Sequence, residues 1–460
     1  MSTTATGSTV APTRERRRFG GRWIEDWDPE DERSWQSTGR HVARRNLSVS
    51  IVAEFLGFGV WALWSIVVPQ LAAAGFALSV DQQFWLIAIP SLVGATLRIP
   101  YTLAVPLLGG RNWTMISALL LLIPTVAVVI VVQQPATPFP VLLTVAALAG
   151  LGGGNFASSM ANITFFFPQR EKGRALGLNA AGGNIGTAAV QLAVPLVIAT
   201  GAGIALERAG LVFIPLVLLA AVLAWRFMDN LGTARADART FTVATRNRHT
   251  WIISFLYIGT FGSFIGYSGV FPTLLATTFP EVTLTVAFLG ALVGSVARPL
   301  GGVLADRLGG ARVSVASFLV MGVGAAGVIA ALQRTEFGLF FGSFLLLFVA
   351  TGIGNGSTYR MIPAVFAAGA HEGMSELEAE GDLAERRLRA QQAAAGCIGI
   401  AGAVGAFGGF LIPRGFAVST QLTGSLATAL GLFVCCYLVM AATTWFVYLR
   451  PGTTLSAARI

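Results

Sequence analysis

Residues 150–186 read GLGGGNFASSMANITFFFPQREKGRALGLNAAGGNIG: two apolar helical runs rich in Gly, Ser, Asn and Phe, joined by a basic turn at 168–173 that cannot lie in hydrocarbon. Small residues let helix backbones approach closely. Asn155, Ser158, Ser159, Asn162, Asn179 and Asn184 place amides and hydroxyls where lipid-facing helices carry Leu or Val. The pattern reads as a pair of helices lining a pathway. A plainer reading, in which the glycines only pack helices and the polar groups only bond between them, stays open at this point.

Composition sets the class. The chain is 54% hydrophobic and 12% charged, with a mean hydropathy of +0.70. Apolar runs exceed the ~18 residues that mark a spanning helix, so this is a polytopic membrane protein, all-α. The net charge of +9 would suggest acidic or nucleic-acid partners in a soluble chain. Here the basic residues sit mostly in loops on one side, so they set topology and no nucleic acid is implied. Cys397, Cys435 and Cys436 show no metal-ligand spacing and read as buried small hydrophobes.

Residues 1–45 form a polar tail without the apolar core of a cleaved signal peptide. Within it Asp28-Pro29 resembles a helix start, and Trp23, Trp27 and Trp35 are candidates to anchor such a helix at the membrane surface; a solvated tail is an equal alternative. Apolar segments follow near 47–74, 84–108, 112–132, 139–167, 173–200, 208–228, 250–278, 284–305, 312–333, 337–367, 393–413 and 422–449, which predicts about twelve spans. Arginine density alternates between loops, and the positive-inside rule puts both termini in the cytoplasm. The expected organisation is a tail at 1–45, a six-helix bundle at 46–228, a linker at 229–249, a second bundle at 250–450 and a tail at 451–460. Within the second bundle, the loop 368–392 reads as a surface helix opened by Ser375 and Glu378 as a capping box.

An internal repeat supports two pseudo-symmetric halves. Leu92-Val93-Gly94-Ala95-Thr96-Leu97-Arg98 matches Leu292-Val293-Gly294-Ser295-Val296-Ala297-Arg298, and Leu108-Gly109-Gly110 matches Leu308-Gly309-Gly310. Gly150-Leu151-Gly152 likewise corresponds to Gly352-Ile353-Gly354. Repeated six-helix halves with a site at their interface are the architecture of a rocking transporter.

Arg98 and Arg298 each sit about midway through a span, where an arginine costs ~2.5–3.5 kcal/mol on the lenient insertion scale. Such a pair calls for a compensating anion. Glu54 is a candidate partner, but reads as only two or three turns from the cytoplasmic end; the alternative is an anionic substrate. Guanidinium stays charged in any cavity and offers a planar fork of donors, which suits a planar oxyanion. Arg360 lies late in its span and reads as a gate or surface residue. His41, His249 and His371 lie in the tail or loops, away from any intramembrane proton relay. No nucleophile–base pair, metal cluster or nucleotide motif is evident, so neither an enzyme nor a cofactor is expected.

The string Gly302-Val303-Leu304-Ala305-Asp306-Arg307-Leu308-Gly309-Gly310-Ala311-Arg312 resembles the cytoplasmic loop signature of the major facilitator superfamily, and Leu108-Gly109-Gly110-Arg111 is a degenerate copy. Within that superfamily, residues 150–186 resemble the nitrate signature of the nitrate/nitrite porter family (NarK type), as do 354–363 and 401–410; Ala181 departs from it where Gly is commoner. The resemblance implies a major facilitator fold carrying nitrate and nitrite across the cell membrane, in the service of nitrate assimilation, with the protein working as a monomer among membrane lipids. It further implies that Arg98, Arg298 and Asn184 bind the anion, that Phe156 and Phe261 stack on it and that Tyr257 supplies a hydroxyl; Asn355 joins Arg360 as a candidate for the gate. A midplane with only permanent charges favours nitrate/nitrite exchange by alternating access. A nitrate/proton symporter with Glu54 as the proton site is the alternative, with an anion channel behind it.

Overall fold

The computed structural model describes residues 22–200, 203–234, 238–370, 380–452, 455 and 460. Among these, twelve helices are long and apolar enough to cross a membrane: Glu32–Leu71, Val80–Leu108, Gly110–Val131, Phe139–Phe166, Gln169–Ile198, Arg208–Phe227, Arg248–Thr278, Leu284–Leu308, Gly310–Arg334, Phe337–Ala368, Arg389–Thr423 and Ala427–Leu449. They are called the first to twelfth spans below. An even number of crossings leaves both chain ends on one face, the terminal face, with the opposite one the far face. Capping box residues Ser375 and Glu378 lie outside the described residues; a helix runs onward from Glu380 to Ala406.

The repeat is built into the packing. Gly150 of the fourth span lies against Gly94 of the second, and Gly352 of the tenth lies against Gly294 of the eighth. At each of these crossings a side chain would meet backbone, so glycine sets how closely the helices approach. The turns from second to third and from eighth to ninth span use Gly109 and Gly309 at φ +90° and +91°. An L side chain is strained in that region, which explains why the loop signature keeps its glycine even in the degenerate first copy.

The tail differs from the sequence reading. The cap is Asp31, whose side chain accepts from the Arg33 amide and leads Glu32–Ser34 through a π-helical turn, Trp35–Gly39, into the long helix Arg40–Leu71. Asp28 instead closes a local turn by accepting from the Glu30 amide at 2.9 Å. Hydrogen bonding from Ser34 holds the exposed Asp31 carboxyl below its usual range. The tail tryptophans meet the protein itself: Trp27 Nε1 donates to the Phe165 carbonyl at 3.1 Å, and Trp35 is buried edge-on against Phe167. Two short strands, β1 (Trp23–Ile24) and β2 (Asn230–Leu231), pair in parallel and fasten the tail to the segment leaving the sixth span. Asp229, buried beside them, accepts from Arg22, Arg45 and Asn46.

At the far face the two halves are joined by polar contacts. Arg414 of the eleventh span meets Asp81 of the second at 2.8 Å and lies 4.2 Å over the Trp85 ring. Gln191 of the fifth span donates to the Ser268 carbonyl of the seventh at 2.7 Å. Of the three cysteines only Cys397 is buried; Cys435 is exposed and Cys436 half-buried. The twelfth span is a peripheral helix with one lipid-facing side, so small apolar residues there need not point inward.

Candidate functional site

The centre of the interface between the halves is aromatic and cationic. Phe156, from the Gly-rich fourth span, and Phe261, from the seventh, stack with centroids 5.9 Å apart at 26°. Phe261 lies within a π-helical turn, Ile258–Gly262, so the seventh span widens where it delivers this ring. Tyr257, four residues earlier on the same helix face, stacks on Phe261 at 5.3 Å and 18°.

Both mid-span arginines close on this stack. The Arg98 guanidinium carbon stands 4.6 Å from the Phe156 centroid and 4.9 Å from that of Phe261. For Arg298 the distances are 5.5 and 5.9 Å. Arg98 is 1% exposed and Arg298 6%. A guanidinium over a ring face draws on the ring quadrupole, and more strongly when desolvated. This contact stabilises charges held largely out of water.

The hydrogen bonds of the two arginines are not equivalent. Arg98 Nη1 crosses between the halves and donates to the Gly402 carbonyl of the eleventh span at 2.7 Å. Arg298 Nη2 stays within its own half, at 3.4 Å from the Tyr257 hydroxyl. Arg98 Nε, Arg98 Nη2 and Arg298 Nη1 have no protein partner. Neither do the amides of Asn155, Asn184 and Asn355 nor the Tyr359 hydroxyl. Buried donors are nearly always paired in native proteins, so guanidinium N–H groups left open beside aromatic faces mark a place for an acceptor.

The structure therefore brings Arg98, Arg298, Phe156, Tyr257 and Phe261 together. Asn184 is buried with both amide atoms open, on the fifth span next to Gly183, which packs against Glu54. No described hydrogen bond or ring contact ties it to the cluster. Asn355 is fully buried one turn before Tyr359. Arg360 is exposed and pairs with Asp306 at 2.5 Å, so the loop motif reaches from the eighth span to the tenth. Gly302 and Arg307 lie on that same helix and Arg312 begins the ninth span after Gly309, with both arginines exposed.

Three site members escape a reading of the sequence. Tyr359 lies 5.9 Å from Arg298 and 6.2 Å from Tyr257. Trp61, which donates to the Pro90 carbonyl, also lies 5.8 Å from Arg98. Gly402 contributes only a carbonyl. Glu54 lies about two turns beyond Asn46, which bonds the buried Asp229 at the terminal face. It is 1% exposed and acts electrostatically on both arginines.

Two six-helix halves enclosing a cationic, aromatic chamber define a two-half membrane carrier. A family model described as Major Facilitator Superfamily matches residues 49–375. The nitrate/nitrite transporter NarU of Escherichia coli (strain K12) is 39% identical over 446 residues, covering 93% of this chain and 96% of that protein. The probable nitrate/nitrite antiporter NarK2 of Thermus thermophilus is 36% identical over 459 residues, covering 94% and 98%. A D-xylose-proton symporter of known structure shares the fold, with a TM-score of 0.63 at 16% identity, covering 88% of this chain and 97% of that one. The chain belongs to the nitrate/nitrite transporters of the major facilitator superfamily.

Proposed function

We propose that this protein exchanges nitrate and nitrite across the cell membrane by alternating access, as a monomer with both termini in the cytoplasm. The two rocking bodies are residues 46–228 and 250–450. The observation that carries the reading is the pair of buried guanidiniums, one from each half, with uncommitted N–H groups beside the Phe156–Phe261 stack. A flat, singly charged oxyanion accepts from both forks and lies against the rings, with Tyr257 adding a hydroxyl. Asn184 is the further amide donor of this proposal, and Arg360 with Asn355 its gate on the cytoplasmic side.

Exchange follows from charge. An empty chamber with two like charges resists occlusion, and the anion favours occlusion only by binding that state more tightly. The names of the two relatives, a nitrate/nitrite transporter and a probable antiporter, support this substrate class. The test is counterflow in proteoliposomes. Nitrate uptake should be several-fold faster with nitrite or nitrate inside than with empty lumen; equal rates refute exchange. The electrostatic contact of Glu54 with both arginines favours a second reading, nitrate/proton symport, marked by uptake that follows an imposed pH gradient.

A further inference from the structure

Besides the shared Phe156–Phe261 stack, each mid-span arginine has one aromatic neighbour of its own among the described residues. For Arg98 it is Trp61, at 5.8 Å, and for Arg298 it is Tyr359 of the tenth span, at 5.9 Å. The two neighbours differ in what they leave open. The Trp61 indole N–H is committed to the Pro90 carbonyl at 2.8 Å. Tyr359 is half-buried as a residue, but its hydroxyl is fully buried and has no partner. Its ring is tilted against Tyr257 at 6.2 Å and 42°, and its oxygen lies within electrostatic reach of both guanidiniums. A phenol both donates and accepts, and buried polar groups are nearly always paired, so an open hydroxyl beside two cations marks a place for a ligand atom.

Backbone packing fixes where that hydroxyl stands. Gly356, three residues before Tyr359, lies so close to the Arg298 carbonyl that a Cβ would collide with it. Ser357 Oγ, in the same turn, is 2.9 Å from Ser314 Oγ of the ninth span. Arg360, the next residue, is paired with Asp306 of the eighth. The eighth and tenth spans therefore carry Arg298 and Tyr359 as one unit, and the phenol stays beside its guanidinium. Tyr257 is placed differently: it accepts from Arg298 Nη2 at 3.4 Å and so helps to orient the fork. Tyr359 is the phenol of the chamber with neither its donor nor its acceptor in use.

We propose that Tyr359 ranks the two anions, favouring nitrate by donating its hydroxyl proton to the oxygen that nitrite lacks. This rests on the nitrate/nitrite reading above. Both ions are planar and singly charged, so the ring stack and the net charge of the chamber treat them alike. Forks reaching in from the two halves engage two oxygens of either ion. Nitrate then presents a third oxygen that carries its share of the charge, and leaving it desolvated without a donor is costly. At the same corner nitrite has only a nitrogen lone pair, set further back. Its binding leaves the phenol unpaired, and a site built to hydrogen-bond a group discriminates against the analogue without it for that reason. The arginines set how tightly either ion is held; Tyr359 sets the difference between them.

The test is equilibrium binding of nitrate and of nitrite, measured separately on the full-length purified protein at one neutral pH and one salt concentration. Tyr359→Phe keeps the ring and loses only the hydroxyl. Nitrate affinity should fall about tenfold or more, the loss of one hydrogen bond to a charged acceptor, while nitrite affinity stays within about twofold. Tyr257→Phe loosens the Arg298 fork and should weaken both anions by similar factors, which a purely supporting role for Tyr359 would also produce. A nitrate-to-nitrite affinity ratio unchanged by Tyr359→Phe overturns the inference and leaves the substrate reading standing, as does a larger change of that ratio in Tyr257→Phe. If Tyr359→Phe does not fold, fluorine NMR of the full chain with a ring-fluorinated tyrosine at position 359 decides: nitrate should shift the resonance more than nitrite, and equal shifts overturn the inference. Absence of both nitrate and nitrite binding to the wild type refutes the substrate reading and the inference with it.

Discussion

Arg98→Lys isolates geometry from charge. In the native chamber one N–H donor of Arg98 is committed to the Gly402 carbonyl at 2.7 Å, while Nε and Nη2 remain open. The fork thus spans a protein bond and a ligand bond at once, with its plane held between Phe156 and Phe261. An ammonium has three donors on a compact head and no plane, so it serves the carbonyl or the anion but not both in register. Losing one charge-assisted hydrogen bond costs about 1.5–3 kcal/mol. At 1.4 kcal/mol per factor of ten, that is a fall in nitrate affinity of about 10- to 150-fold. The assay is equilibrium nitrate binding to purified protein at fixed pH and salt, with size-exclusion profiles matched between variants. Affinity within about twofold of wild type would refute the fork argument, since the charge is retained.

Three further outcomes follow from other contacts. Phe261→Leu removes the ring that both guanidiniums face, and at about 0.5–2 kcal/mol per cation–π contact nitrate affinity should fall about 2- to 30-fold. Gly109→Ala and Gly309→Ala each force an L residue into the left-handed region, costing about 1–2 kcal/mol, so each should lower the melting temperature, and at Gly109 the methyl also runs into Asn230; an unchanged melting temperature would refute the strain argument. Asp81→Asn removes the carboxylate that fastens Arg414 across the far face, so spin-label distances between the second and eleventh spans should shift toward a wider far side; unchanged distances would make the pair incidental.

The spans and the pair of halves were legible because hydropathy and a 200-residue offset survive in any packing. Arg98 and Arg298 stood out for a related reason: charge at mid-span has a cost that function must offset. Phe156 and Phe261 were reached only through family resemblance, since an isolated Phe in a membrane helix carries no mark of its partners. Gly402 could not be read at all, because a carbonyl contact across 304 residues leaves no residue-type signal. Tyr359 did leave one, sitting a turn after Asn355 in a polar stretch of an apolar helix. The first helix starts several turns before its apolar run, which hydropathy alone does not mark. Its polar first turns are ordered by Asp31 and by the buried Trp35.

The pairing of β1 with β2 also constrains how the protein is made. Trp23 and Ile24 are made well before their strand partners, Asn230 and Leu231, which are synthesised about 200 residues later. At 5–20 residues per second the tail waits about 10–40 s before it can dock. The strand pair then closes the first six helices into a ring with both ends pinned, before most of the second half exists. A chain whose sixth span fails to insert leaves Asp229 and β2 away from the waiting tail. The contact that anchors the finished carrier therefore cannot form until the sixth span has been made.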